Sequence, residues 1–223
     1  MIATRVISLD LDDTLWPVGP VIASAETVLL DWLKARYPRA VRGHTIDSMR
    51  AARARIAIQH PERSHDLTFL RRHALARQFT AVGYAEALCD EAMEVFLEAR
   101  NRVEFYDDVR PALARLRAAY RLYALSNGNA DLARCGIGHL FDGHVTAISA
   151  GAAKPDARIF AALAEMAGVS PEEVLHVGDD PLADVVGARQ AGMQTAWLNR
   201  DSRTWPVTLA PPARTISTLA EIL

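Results

Sequence analysis

Five short apolar segments constrain this 223-residue chain more than any other feature, because the first of them ends in carboxylates and so does the fourth. Residues 4–10 read as a buried strand running into Asp10, and residues 121–125, 145–149, 174–177 and 195–198 have the same look. Helical patterns lie between the later segments. Residues 156–167 place Ile159, Phe160, Leu163 and Met166 on one face, with Gly168 as the stop. Ser170-Pro171-Glu172-Glu173 has the spacing of a capping box, and residues 181–191 form a further helix ended by Gly192. Strand and helix alternating in this way predict a parallel sheet covered on both faces, an α/β, Rossmann-like core.

Residues from about 20 to 104 break the rhythm. They contain almost no strand-like run, and Leu88, Ala92, Val95, Phe96 and Ala99 form an apolar stripe at helical spacing. The expected organisation is an α/β core from residues 1–18 and 105–223, with an all-helical insert over 19–104. The insert is electrically lopsided: residues 39–77 carry nine arginines, whereas residues 78–108 carry eight acids. Pairing of these faces with each other or with water is the favoured reading, and steering of an anionic substrate by Arg50, Arg53 and Arg55 is the functional alternative.

A net charge of −2 gives no field favouring nucleic acid or an anionic membrane, and no apolar run is long enough to span a bilayer. Carboxylates follow the N-terminus at once, unlike a secretory signal, so a cytoplasmic location is expected. Cys89 and Cys135 lack any metal-ligand spacing and read as two small buried thiols. Of 25 Lys and Arg residues only Lys34 and Lys154 are lysine, so Lys154 invites the question of what a compact ammonium does that a guanidinium does not.

Four clusters carry chemistry. Asp10, Asp12 and Asp13 stand where the first strand ends, the side of an open parallel sheet on which ligands bind. Carboxylates so close together imply a hard divalent cation between them. Asp179, Asp180 and Asp184 repeat the pattern after Val177-Gly178, although Asp180 also reads as a helix N-cap and Asp184 as a first-turn acid. Ser126 and the Asn127 backbone N–H end another strand as donors for a phosphate oxygen. Lys154 precedes a helix start, and both features favour bound phosphate. His176 reads as a packed core histidine, and Trp16 as a packing residue with ring stacking on a substrate as the alternative.

In order and spacing these clusters resemble the four motifs of the haloacid dehalogenase superfamily of hydrolases: Asp10-Leu11-Asp12-Asp13-Thr14, then Ser126, then Lys154, then Gly178-Asp179-Asp180 with Asp184. The similarity is strong over about 4–25 and 105–200, and the insert occupies the place of that family's helical cap. The resemblance implies Asp10 as the nucleophile forming an aspartyl phosphate, and Asp12 as general acid and then base. It also implies Mg2+ on Asp10, the Asp12 backbone carbonyl and Asp179, with Asp180 and Asp184 in an outer shell. Ser126, Asn127 and Lys154 would bind the phosphate. The dehalogenase pattern has no Asp at position 12, so a phosphatase acting on a small phosphorylated metabolite is expected. A sugar phosphomutase shares this residue and stays open.

Trp16-Pro17-Val18-Gly19-Pro20, Trp32-Leu33, Tyr37-Pro38 and residues 126–131 look like bacterial phosphatases of riboflavin metabolism. That likeness implies flavin mononucleotide or a ribitylaminouracil phosphate as substrate, with nucleoside monophosphates and sugar phosphates as alternatives. A receiver-like signalling module also phosphorylates an aspartate beside a Ser/Thr and a Lys, but on a middle strand and without a helical insert.

Overall fold

Val6–Leu9 (β1) is buried along its whole length, and in the computed structural model of the chain it is an inner strand of a six-stranded parallel sheet. The structure describes residues 3–222; Met1, Ile2 and Leu223, which the expected core takes in, lie outside the described residues. Four long helices follow β1: Val18–Arg36 (α1), Ile46–Gln59 (α2), Leu67–Ala81 (α3) and Leu88–Arg100 (α4). Then come Val109–Ala119 (α5), Arg121–Ser126 (β2), Gly143–Thr146 (β3), Ala147–Ala150 (α6) and Ala157–Ala167 (α7). Val174–Gly178 (β4) leads into a wide π turn, Pro181–Val186, continued by Gly187–Gln190 (α8). Gln194–Leu198 (β5) and Thr215–Ile216 (β6) complete the sheet in the order β3-β2-β1-β4-β5-β6.

This is the expected α/β fold, and its register decides the chemistry. Leu9 lies opposite Ala124 on one side and Val177 on the other, so β1, β2 and β4 finish at one level. The segments beyond them, which carry Asp10, Ser126 and Asp179, therefore share one edge. Helix α7 buries Ile159, Phe160 and Leu163 in a cluster with Val6, Leu125 and Val145, because its apolar residues recur at the helical period.

Two boundaries differ from expectation. The strand expected over 145–149 lies two residues earlier, at Gly143–Thr146, because β3 ends at Thr146 and α6 begins at once. The Thr146 hydroxyl accepts from the Ser149 N–H while Ser149 Oγ accepts from the Thr146 N–H, a capping box that turns the apolar run into a helical turn. Residues 181–191 are helical but begin with a π turn, in which Asp180 accepts from both Leu182 and Ala183.

By internal contacts the chain falls into two units. One is the α/β unit; the other comprises Val18–Val103 together with Asn129–Cys135. Residues 129–135, expected with the α/β core, pack with the helices because Asn101 accepts from the Asp131 N–H and Asn129 donates to Thr68. Within the helical unit α1, α3 and α4 bury Leu29, Leu33, Leu75, Phe79, Ala92 and Phe96 in one cluster. The buried stripe of α4 also includes Cys89, Met93 and Arg100, while Leu88 and Val95 are half-buried. Both cysteines are buried, and neither is part of a disulfide among the described residues. Among the described residues no helix is long and apolar enough to cross a membrane.

The insert's favoured reading holds in its geometry. Arg50 and Arg53 bind the buried Glu26 carboxylate at 2.7 Å each, with Arg71 at 3.6 Å. Arg72 binds Asp90, and Arg63 binds Asp66. Arg50 and Arg53 are thereby engaged within their own unit, and of the three arginines named for steering only Arg55 has no carboxylate within ion-pair distance among the described residues.

Candidate active site

β1 delivers Asp10 to the sheet edge, where its N–H donates to Val177 O at 2.9 Å. Beyond it the chain turns back through Asp13, whose φ of 60° lies in the left-handed region that aspartate tolerates. That turn brings the fully buried Trp16 beside Asp12, and the indole Nε1–H donates to Asp12 Oδ1 at 2.9 Å. Trp16 also packs edge-on against Phe105. The residue is a packing group, as favoured, and with no exposed face it offers no stacking surface; it also fixes the Asp12 carboxylate, which the sequence did not reveal.

At the end of β4, Gly178 permits a close approach: a Cβ there would stand 2.2 Å from Asp184 Cγ. Asp184 consequently tucks beneath the strand end, 2 % exposed, and accepts from the Asp180 N–H. Carboxylate oxygens of Asp10, Asp179 and Asp184 lie within 4.8 Å of one another. Lys154 enters this group from the loop before α7. Its buried Nζ donates to Asp10 Oδ1 at 2.5 Å, Asp184 Oδ1 at 2.6 Å and Leu125 O at 2.9 Å. Three acceptors satisfy the three N–H groups of an ammonium, the arrangement a planar guanidinium does not reproduce.

Asn127 serves this loop with its side chain. It donates to Lys154 O and accepts from Lys154 N, at 3.0 and 2.7 Å, so it locks the lysine backbone to the end of β2. Ser126, 1 % exposed, accepts from the Gly128 N–H at 2.9 Å. Asp180 is exposed and engaged as the cap of the π turn.

Burial and like charge set the protonation of the cluster. Burial raises the Asp10 carboxyl well above its ordinary value, with Asp184 and Asp179 adding to the shift and Lys154 opposing it. Asp179 is raised to about 6, first by burial and then by Asp184. Burial also favours the acid form of Asp184, but Lys154 and His176 outweigh it and hold the group well below the carboxylate range. Burial lowers His176, leaving a neutral ring. With Nε2–H donating to Asp184 at 3.2 Å, Nδ1 accepts from the Ser8 hydroxyl at 2.9 Å. The histidine is packed, as expected, and it also orients an acid of the cluster.

Two further residues at the site carry no signal in the sequence. Arg203, from the irregular segment after β5, donates to Asp179 O at 2.7 Å and Asp179 Oδ2 at 3.0 Å. Arg200 clamps Thr14 O and the Asp108 carboxylate, tying down the turn that follows Asp10. A lone arginine in a segment without periodicity carries no signal of its own; only the excess of arginine marks it.

The cluster fits a hard divalent cation. Three carboxylates converge, with one buried ammonium on Asp10 and Asp184, and burial followed by like charge pushes Asp10 and Asp179 toward the acid form, which such an ion would oppose.

Comparison with known proteins agrees with this chemistry. The chain is 31% identical over 224 residues to the 5-amino-6-(5-phospho-D-ribitylamino)uracil phosphatase YigB of Escherichia coli (strain K12), covering 97% of this chain and 93% of that one. It is 35% identical to a phosphoserine phosphatase of Thermus thermophilus over 59% of this chain and 55% of the other. Among solved structures, a 2-haloacid dehalogenase from Pseudomonas syringae pv. Tomato DC3000 superposes with a TM-score of 0.91 at 34% identity, covering 98% of this chain and 96% of that one. A HAD phosphatase from Thermococcus onnurineus gives 0.69 at 25% identity, with coverage of 98% and 96%. Residues 4–192 match the haloacid dehalogenase-like hydrolase family, and the chain is therefore a member of that family.

Proposed function

We propose that the chain is a Mg2+-dependent phosphomonoester hydrolase working through an aspartyl phosphate on Asp10. The observation that carries this reading is the Lys154 ammonium bridging Asp10 and Asp184 beside Asp179, a buried nucleophile flanked by its counter-charge and by a cation-holding acid set.

Asp10 and Asp179, with the Asp12 backbone carbonyl, would hold the ion, which when bound neutralises phosphate charge and favours the ionised nucleophile. Asp10 Oδ attacks phosphorus in line, and the ester P–O bond breaks. Asp12, presented by the Trp16 indole, gives its proton to the leaving alkoxide and later takes one from the water that cleaves the acyl phosphate. Lys154 and the Ser126 hydroxyl face the phosphoryl oxygens, and Asn127 keeps the lysine loop in place. Asp184 and His176 hold the ammonium, and Asp180 holds the turn that carries Asp184.

The similarity to YigB along nearly the whole chain favours a pyrimidine or flavin phosphate of riboflavin metabolism as substrate. The likeness to a structure titled as a 2-haloacid dehalogenase raises halide displacement as a second reading, which the acid at position 12 disfavours because a halide leaves without protonation. Turnover of a chromogenic phosphate ester, dependent on Mg2+ and abolished in Asp10→Asn, tests the chemistry. Comparison of 5-amino-6-(5-phospho-D-ribitylamino)uracil, flavin mononucleotide, nucleoside monophosphates and sugar phosphates tests the substrate, and equal rates on all would remove the riboflavin assignment. Metal-independent halide release from a 2-haloacid, without phosphate release from any ester, would overturn the phosphatase reading.

A further inference from the structure

Nine arginines crowd residues 39–77, and the structure divides them into two sets. Arg50, Arg53, Arg63, Arg71 and Arg72 each lie against a carboxylate. Among the described residues, the other four, Arg39, Arg42, Arg55 and Arg77, have no acid within ion-pair distance. Arg77 donates to the neutral Gln59 Oε1, and Arg39 lies over the Tyr84 ring. All four unpaired arginines line one cavity of about 320 Å³ within the helical unit, between α2, α3 and the turn after α1.

The lining of that cavity is built like a site. His44 stands among the arginines, and no aspartate or glutamate lines it among the described residues. Its floor is apolar, with Ala52 and Ile56 from α2 facing Ala74 and Ala81 from α3. Gln78, also in the lining, has its amide nitrogen buried without a hydrogen-bond partner. Like-signed charges around a concave, low-dielectric wall repel one another and concentrate a counter-anion. The four arginines are exposed, and their convergence on one hollow is what separates them from charges scattered over a surface.

We propose that this cavity binds a small organic phosphate, with its anionic end among Arg39, Arg42, Arg55 and Arg77 and an apolar body on the α2–α3 floor. The volume suits a molecule of about nucleotide size. None of these residues belongs to the acid cluster, so the site binds without turnover.

The test is calorimetric titration of the full chain with ADP in buffer containing a chelator, a condition that leaves the acidic cluster without a cation and repulsive to phosphate. One binding event is expected, retained in Asp10→Asn, at least tenfold weaker for adenosine, and weakened at least tenfold by about 0.5 M salt. The Arg42→Gln/Arg55→Gln/Arg77→Gln variant is expected to lose at least tenfold in affinity, and each single variant about threefold. Arg117→Gln, which touches Asp142 in the other unit, serves as the control and is expected to bind as wild type. Should the triple variant unfold by circular dichroism, the single variants decide. No heat with ADP or with inorganic pyrophosphate, or affinity unchanged in folded arginine variants, overturns the proposal. Binding lost in Asp10→Asn also overturns it, because the ligand then sits in the acid cluster; ester hydrolysis is unaffected as a conclusion by any of these results.

Discussion

In the helical unit one buried carboxylate, Glu26, faces three guanidiniums, whereas in the α/β unit one buried ammonium, Lys154, faces the carboxylates of Asp10, Asp184 and, nearby, Asp179. The two clusters are opposites in sign, and their surpluses are handled differently. The positive surplus around Glu26 drains into water through Arg50 and onto the Phe96 face through Arg71, which burial and neighbouring Arg53 lower to about 9. The negative surplus around Lys154 meets a solvent-facing cation, Arg203, at Asp179 alone among the described residues, while Asp10 and Asp184 are buried. The first arrangement is complete as it stands and structural; the second, on the proposed function, would be completed by a divalent cation and is chemical. What separates a structural charge cluster from a reactive one is whether the surplus is solvated or left for a ligand.

The sharpest way to break this comparison is to remove the central charge of each cluster. Lys154→Met leaves two buried carboxylates without their counter-ion, and loss of one partner of a buried pair costs about 3–5 kcal/mol. Ester turnover is expected to fall at least about a hundredfold, as for loss of a transition-state donor. Urea denaturation with and without saturating Mg2+ checks the first part: the variant regains stability with Mg2+ by more than wild type does. A variant indifferent to Mg2+ would erase the distinction between the clusters.

Glu26→Gln is the counterpart and is expected to cost about 2 kcal/mol, since Arg50 is half in water and its exposed share is screened. No Mg2+ rescue is expected. Burial favours the acid form of Glu26, but hydrogen bonds from Arg50 and Arg53 outweigh it and lower the group below its ordinary 4.5. The folded form therefore binds fewer protons than the unfolded one. The Glu26 contribution is full above about pH 4.5 and disappears as pH falls through the depressed value. Denaturation of wild type and variant across that window should show their stabilities converging at the acid end; a constant gap would show that packing, not charge, holds the cluster.

Much of this was legible in the sequence. The placing of Asp10, Ser126 and Asp179 at one sheet edge was readable because an apolar run followed at once by a polar tip marks a strand end. Lys154 stood out against an arginine-rich background for a reason the structure makes physical, three acceptors around one ammonium. Residues 145–149 were misread because Val145 and Ile148 fit either period, and only the reciprocal Thr146–Ser149 bonds decide between them. The split of the arginines was not legible, because pairing with Glu26 needs three helices to meet. Nor was the Trp16–Asp12 bond, which depends on a left-handed turn at Asp13.

That bond sharpens the contrast between clamped and exchangeable groups. Trp16→Phe keeps a ring against Phe105 and deletes the N–H that fixes Asp12. Turnover of alkyl phosphates is expected to fall about tenfold, or about 1.4 kcal/mol in the barrier. An ester with a good leaving group such as nitrophenolate should lose less, because it needs less protonation. An equal loss on both would place Trp16 in packing alone.

The smallest effect belongs to Arg203, the one exposed cation resting on the acid cluster. Its guanidinium occupies Asp179 Oδ2 from the solvent side, 44 % exposed, so it competes with a divalent ion for the same oxygen and is itself weakly held. Arg203→Gln is expected to raise Mg2+ affinity about fivefold, or about 1 kcal/mol, in calorimetric titration of the enzyme without substrate. Fluorescence follows the same event, since Trp197 Nε1 donates to Asp179 O and Trp205 packs edge-on against Trp197 at 5.0 Å. The gain should shrink at high salt, where the exposed pair is screened in wild type as well. A loss of affinity would reverse the assignment: Arg203 would then be holding Asp179 in position for the ion, and the α/β cluster would share with Glu26 a guanidinium that belongs to its structure.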